Sequence, residues 1–74
     1  MKVGDKVKFS PYGCEELLVY SEDHYKEFMY CVGIVEKIED DLVDLMTVYT
    51  EVTVRWIPSK LNYIYPKSYL EIIK

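Results

Sequence analysis

The strongest indication of the fold is the stretch VTVRWIPSKLNYIYPKSYLEII, residues 52–73. At its start, two valines and Trp56 alternate with Thr53 and Arg55. Because successive side chains of a strand point to opposite faces of a sheet, this alternation predicts a strand with one apolar face. The β-branched residues before it extend the predicted strand over residues 47–57.

The rest of the stretch predicts two further short strands. A turn over residues 58–62 leads into a strand at 63–65, which Pro66 ends because proline has no backbone N–H to donate. The last strand is predicted at residues 70–73. Strands this close in sequence pair antiparallel, since a parallel pair needs a long crossover connection.

The first half of the chain is less regular. Residues 2–9 predict a strand interrupted by a turn or bulge at Gly4, and residues 28–38, rich in β-branched and aromatic side chains, predict the second strand. Residues 10–27 between them are interpreted as a long, partly structured loop, because serine, proline and glycine open the segment and charged residues follow. Leu17, Leu18 and Tyr20 could instead form one apolar turn of helix, so residues 14–27 stay open between helix and loop. Residues 40–46 predict a turn or a short helical piece before the third strand, because Leu42, Leu45, Met46 and Tyr49 have helical spacing. Val43, Val48 and the threonines favour a strand as the alternative.

Five to six short antiparallel strands with a long first loop predict an all-β small barrel, a single domain over residues 1–74. Its predicted core combines the apolar positions that share the inward faces of the strands. These are Val3, Val7, Val35, Ile38, Val52, Val54, Trp56, Ile64, Leu70 and Ile72.

The order of GDKVKF (4–9), GIVEKI (33–38), VTVRW (52–56) and YIYPKSYLEII (63–73) resembles the SH3-like barrel. In particular it resembles the short, mostly uncharacterised SH3-like proteins of tailed bacteriophages, over a little more than half of the chain. The resemblance implies that the first and last strands lie side by side, with a 3-10 turn at PKSY, residues 66–69. It does not carry over the proline-peptide groove of signalling SH3 domains, because the ALYDY segment and the exposed paired tryptophan of that groove are missing.

The composition limits the class of protein. The chain has 74 residues, a net charge of −4 and two cysteines. Its start, MKVGDKVKF, alternates charged and apolar residues and is unlike a secretory signal. Its apolar runs are shorter than the ~20 residues that a membrane helix needs. We therefore expect a cytoplasmic protein with reduced thiols, in the host cytoplasm if it is phage-encoded.

Four residues near the end of the chain form a predicted protein-binding patch. Strand alternation places Ile64 inward and Tyr63 and Tyr65 outward, near Arg55 and Tyr69. Tyrosine and arginine are favoured at interface hot spots. The competing interpretation is that these tyrosines cover the open end of the barrel with their hydroxyls in water. We predict a non-catalytic adaptor or inhibitor that binds a host or phage protein.

The uneven charge distribution offers two alternatives. Residues 15–51 hold eleven acidic and two basic residues, whereas the two ends together hold two acidic and seven basic residues. An acidic contact through Asp40, Asp41 and Asp44 could mimic DNA phosphates. The basic side could instead bind nucleic acid with a salt-dependent affinity. The lysines predicted to contact phosphate are Lys2, Lys6, Lys8 and Lys67.

Metal, cofactor and catalytic sites are not expected. Cys14, His24 and Cys31 lack the C-x₂₋₄-C spacing of zinc sites, and the acidic cluster lacks the EF-hand pattern. His24 is predicted to be a solvated loop histidine. We expect no membrane partner and a monomer or weak homodimer, since an exposed edge strand can pair two copies.

Overall fold

The computed structural model describes residues 1–42, 48–57 and 59–74. Most of its regular structure is strand, with two short helices and one 3-10 turn. In chain order the elements are β1 Lys6–Phe9, α1 Pro11–Tyr20, α2 Glu22–Phe28, β2 Gly33–Leu42, β3 Val48–Trp56, β4 Asn62–Pro66, the 3-10 turn Lys67–Tyr69, and β5 Leu70–Ile72.

The five strands form one antiparallel sheet in the order β4-β3-β2-β1-β5. The first strand lies between the second and the last, so β1 and β5 are neighbours, with Val7 opposite Ile72 and Phe9 opposite Leu70. Both the strand number and this adjacency agree with the sequence analysis. The sheet is not closed, because the edge strands β4 and β5 are not paired with each other.

The long first loop predicted over residues 10–27 is wrong, since α1 and α2 occupy this segment. Ser10 caps α1 by accepting a hydrogen bond from Gly13 N at 3.0 Å, and Pro11 follows at the first helical position. Both residue types begin helices as readily as they break them. In α2, Glu22 and Lys26 form an i,i+4 ion pair of 2.8 Å, which supports the short helix.

The helices cover the inward face of the sheet. Leu17 from α1 and Phe28 from α2 are buried, and the Phe28 ring stacks on Trp56 with a centroid distance of 5.4 Å. Phe28 was predicted to begin the second strand, but it ends α2, and β2 begins five residues later at Gly33. The core is thus built between a sheet and two short helices, not between strands alone.

Most of the predicted core is confirmed. Six of its ten residues are buried, and Ile38 packs against them. The buried six are Val7, Val35, Val52, Val54, Trp56 and Leu70. The prediction is wrong for Val3, Ile64 and Ile72, which are exposed.

Two of these errors have local causes. Val3 precedes β1 in a turn in which Asp5 N donates to Lys2 O at 3.1 Å and Gly4 adopts a positive φ of 95°. That turn interrupts the alternation assumed for residues 2–9. Ile72 is the last residue of the edge strand β5, so no further strand flanks it.

The hairpin of β2 and β3 is longer than predicted. The two strands pair from Gly33 opposite Trp56 to Leu42 opposite Val48. The turn or helical piece predicted over residues 40–46 is therefore wrong for 40–42, which belong to β2. Residues 43–47 lie outside the described part of the chain.

The N-terminus of α1 is fixed to the 3-10 turn. Ser10 N donates to Tyr69 O at 2.8 Å, and Ser10 Oγ donates to Ser68 O at 2.6 Å. Gly13 lies so close to the backbone of Tyr69 that a Cβ at this position would overlap the Tyr69 carbonyl oxygen. Glycine is thus needed here for the close approach of two backbones.

Replacing Gly13 by alanine is expected to destabilise the fold by about 1–3 kcal/mol, because the new methyl group forces α1 away from the 3-10 turn. In an exposed helix the same change stabilises by about 1 kcal/mol. Urea unfolding measures the difference, with Val19→Ala on the exposed side of α1 as control. A Gly13→Ala protein as stable as the wild type would contradict the close packing.

Candidate functional site

Tyr65, predicted to be an exposed binding residue, lies in the core. Its side chain is 4% exposed, whereas the neighbouring Ile64 is 63% exposed. Trp56 Nε1 donates to Tyr65 Oη at 2.9 Å, and the same hydroxyl forms a hydrogen bond with His24 Nε2. The outward orientation predicted for Tyr65 is therefore wrong, as is the inward orientation of Ile64.

The register of β4 on β3 explains this orientation. Tyr65 is opposite Val52 and Tyr63 is opposite Val54. Directly opposed residues of an antiparallel pair point to the same face, so both tyrosines share the inward face of the two valines. Tyr63 is half-buried there, with its ring centroid 4.7 Å from that of His24.

Arg55 lies on the other face of the sheet. Its position alternates with the buried Val54 and Trp56, and its Nε donates to Glu36 Oε1 across the strands at 2.6 Å. The structure therefore does not bring Arg55 together with Tyr63 and Tyr65 as one patch. Of the four predicted binding residues, Tyr69, which is half-buried, is the one that adjoins exposed tyrosines.

These exposed tyrosines form a surface along α1, the 3-10 turn and the start of β3. Tyr20 is 77% exposed and Tyr12 is 51% exposed. The rings of Tyr12 and Tyr69 meet edge to face with centroids 5.7 Å apart. The residues of this tyrosine surface are Tyr12, Glu16, Tyr20, Tyr49 and Tyr69.

The Glu16 carboxylate affects the pKa of two phenols of the tyrosine surface, Tyr12 and Tyr69. It lies beside Tyr12 and raises the pKa of that phenol, because a nearby negative charge disfavours the phenolate. Burial raises the pKa of Tyr69, and Glu16 adds to the effect. The hydroxyls of Tyr12 and Tyr69 therefore stay protonated and can donate hydrogen bonds at neutral pH.

A cleft of about 450 Å³ shares Tyr49 with the tyrosine surface. Its remaining lining comes from the N-terminus, β3 and the 3-10 turn. These residues are Met1, Thr50, Pro66, Lys67, Ser68 and Leu70. Through Tyr49 the tyrosine surface thus meets a concave surface with both apolar and polar walls.

Sequence reasoning missed Tyr12 and Tyr20 because both fall in the segment interpreted as a loop. The signal that could have found them is helical spacing, since Tyr12, Glu16 and Tyr20 follow one another at intervals of four residues. Such residues lie on one face of a helix. The Ser10-Pro11 start would have supported the helix.

The lysines predicted to contact phosphate come from three parts of the chain: Lys2 precedes β1, Lys6 and Lys8 lie on the exposed face of β1, and Lys67 begins the 3-10 turn. Lys8 pairs with Glu71 at 3.5 Å, whereas Lys6 and Lys67 line two different clefts. The backbone N–H of Lys2 donates to Asp5 Oδ2 at 2.8 Å. Whether these residues bind phosphate stays a prediction.

The predicted acidic contact lies on the β2–β3 hairpin. Asp40 accepts a hydrogen bond of 2.6 Å from the Thr50 hydroxyl. Asp41 is opposite Tyr49 in the strand register. Asp44 falls outside the described residues.

The described part of the chain has neither a cluster of metal ligands nor a helix that could cross a membrane. Residues 1–42, 48–57 and 59–74 contain no group of three or more His, Cys, Asp or Glu side chains placed to hold a metal ion. Cys14 and Cys31 are free thiols. None of the described helices has the length and apolar character needed to cross a membrane.

His24 is not the solvated loop histidine predicted from its acidic neighbours. It lies on α2, half-buried, with its ring centroid 5.0 Å from that of Phe28. Tryptophan N–H can only donate, so Tyr65 Oη accepts from Trp56, and the same hydroxyl also forms a hydrogen bond with His24 Nε2. Burial lowers the pKa of His24.

Stability is therefore expected to fall as the pH drops below the ordinary histidine value of 6.5. There the unfolded chain binds a proton that the folded His24 resists, so protonation favours unfolding. His24 is the single histidine of the chain. The urea midpoint of the wild type should thus decrease more between about pH 7.5 and about pH 5.5 than that of His24→Gln. Equal decreases would contradict the buried, neutral histidine.

Comparison of the chain with protein-family models, with curated proteins and with solved structures finds no match.

Proposed function

We propose that the protein is a non-catalytic protein-binding module and that its contact surface is the tyrosine surface. The observation that carries this proposal is the set of tyrosines around Tyr69: Tyr12 meets it edge to face, Tyr49 lines the first cleft, and Tyr20 is among the most exposed large hydrophobic side chains. Large exposed aromatic groups gain much from burial against a partner, and tyrosine is enriched at interface hot spots.

The fixed contact between α1 and the 3-10 turn, which carry most of the tyrosine surface, supports this proposal. Ser10 and Gly13 hold α1 against the 3-10 turn through backbone contacts, so the tyrosines on both elements keep one arrangement. A preformed surface loses less conformational entropy on binding than a mobile loop does. The Glu16 carboxylate and the neutral hydroxyls add polar groups that can fix the orientation of a partner.

The fold gives further support to an SH3-like arrangement. The first and last strands are neighbours, and a 3-10 turn precedes the last strand, as in the SH3-like barrel. If the resemblance to phage SH3-like proteins reflects its origin, the module acts as an adaptor or inhibitor of a host or phage protein. The tyrosine surface replaces Tyr63, Tyr65 and Arg55 as the proposed contact, with Tyr69 retained.

Alanine at both Tyr12 and Tyr20 is expected to abolish partner binding while the fold is kept. Each tyrosine is exposed, so its loss costs little stability, whereas hot-spot truncation typically costs at least about 1–2 kcal/mol of binding each, or roughly a tenfold or greater loss. The measurement is a pull-down from nuclease-treated bacterial lysate at low and high salt, compared between wild type and variant.

Tyr30→Ala is the matched control, because Tyr30 is 89% exposed but outside the tyrosine surface. A protein retained by wild type and Tyr30→Ala at both salt concentrations, and lost by the double variant, supports the proposal. Equal retention of the partner protein by all three forms would contradict the proposal. Recovery of nucleic acid that is lost with salt or nuclease would favour the lysines instead.

A further inference from the structure

A second cleft lies apart from the tyrosine surface and has a volume of about 490 Å³. It is formed where β1, the α2–β2 connection, the end of β3 and the C-terminal residues meet. The lining residues are Lys6, Tyr30, Cys31, Val32, Ile57 and Ile73. None of them belongs to the tyrosine surface or to the first cleft.

The walls of this second cleft are fixed by backbone hydrogen bonds. Ile57 N donates to Val32 O at 3.0 Å, and Ile73 N donates to Lys6 O at 2.9 Å. Cys31 N donates to Phe28 O at 2.9 Å, which holds the connection between α2 and β2. The cleft is therefore preformed, and its volume is within the range of small-molecule sites, about 300–1,000 Å³.

The lining combines apolar side chains with one cation. Ile57 is exposed, and Val32 and Ile73 are half-buried, so apolar surface remains in contact with water. Among the described residues, no carboxylate lies within ion-pair distance of Lys6, whereas Lys8 on the same strand pairs with Glu71. Lysine lays its alkyl stem along apolar surface and keeps its ammonium at the edge.

We propose that this second cleft binds a small apolar molecule that carries a carboxylate. The apolar part covers Val32, Ile57 and Ile73, and the carboxylate pairs with the Lys6 ammonium at the rim. An aliphatic amine of the same length would bury the same apolar surface but would meet a like charge. The cleft therefore distinguishes the two by charge, not by shape.

Titration of the ¹⁵N-labelled protein with sodium octanoate, followed by amide chemical shifts, tests the proposal. We expect saturable shifts centred on the amides of Cys31, Val32, Ile57 and Ile73. Octylammonium chloride should bind at least about tenfold more weakly, as a charge-pair difference of about 1.4 kcal/mol requires. Absence of saturable shifts with octanoate, or equal binding of both probes, overturns the proposal.

Three variants test whether the Lys6 ammonium is the charge that binds the carboxylate. Lys6→Met should weaken octanoate binding about tenfold, whereas the matched Lys8→Met should leave it unchanged. Lys6→Glu should reverse the preference towards octylammonium. The amide spectrum itself reports whether each variant is folded. Octanoate binding that is equally strong in Lys6→Met and Lys8→Met would show an unspecific apolar contact and would contradict the proposed role of Lys6.

Discussion

Replacing Phe28 by alanine is expected to lower the free energy of unfolding by about 3–5 kcal/mol, the usual cost of deleting a buried aromatic ring. Phe28 is 2% exposed and stacks on Trp56 with an interplanar angle of 14°. It also contacts the rings of His24 and Tyr63. Its loss would leave a cavity between α2 and the sheet, so a chain of 74 residues would lose much of its stability.

Tyr30→Ala provides the control for this experiment, since Tyr30 is two residues further on and 89% exposed. Its removal should change stability by less than about 0.5 kcal/mol. Urea unfolding of the two variants at the same pH makes the comparison. If Phe28→Ala cost no more than Tyr30→Ala, α2 would not be packed on the sheet as the structure describes.

Truncation of Tyr65 to alanine is expected to cost about 3 kcal/mol or more. Besides its buried ring, the variant loses the hydroxyl that serves Trp56 Nε1 and His24 Nε2, and each buried group left unsatisfied costs about 1–3 kcal/mol. Ile64→Ala, one residue earlier on the exposed face, should cost less than about 1 kcal/mol.

A third variant, Tyr65→Phe, separates the ring from the hydroxyl. It keeps the aromatic packing and removes the two hydrogen bonds, so its cost should lie between those of Ile64→Ala and Tyr65→Ala. Thermal or urea unfolding gives all three values. A larger loss of stability in Ile64→Ala than in Tyr65→Ala would contradict the inward orientation of Tyr65.

The strands of the second half could be predicted because their signals are local. Val52, Val54 and Trp56 alternate with polar residues in β3, and all three are buried in the structure. Pro66 is the last residue of β4 before the 3-10 turn, as expected for a residue without a backbone N–H. These features depend on the residues themselves and little on the rest of the fold.

The orientation of β4 could not be predicted in the same way. Both faces of Tyr63-Ile64-Tyr65 are hydrophobic, so alternation identifies a strand without saying which face is inward. The rings of Tyr63 and Tyr65 can be accommodated on the inward face because α2 covers this part of the sheet. There His24 packs against both rings and Phe28 packs against Tyr63. An unrecognised helix thus led to the wrong face.

The same helical segment explains why the candidate site was only partly predicted. Tyr69 was identified from the tail, but Tyr12 and Tyr20 acquire their position from α1 and its attachment through Ser10 and Gly13. A short helix has low intrinsic stability and forms because of its tertiary packing. That packing cannot be inferred from the local sequence. Tyr49 joins these residues through the long β2–β3 hairpin.

The central claim, that the tyrosine surface is the contact with a protein partner, is tested most directly by photo-cross-linking. A benzophenone amino acid replaces Tyr20 in one protein and Tyr30 in another, since both positions are highly exposed and tolerate an aromatic side chain. We expect one discrete cross-linked protein band from position 20 that is absent from position 30. A band from position 30 alone, or identical bands from both positions, would contradict it.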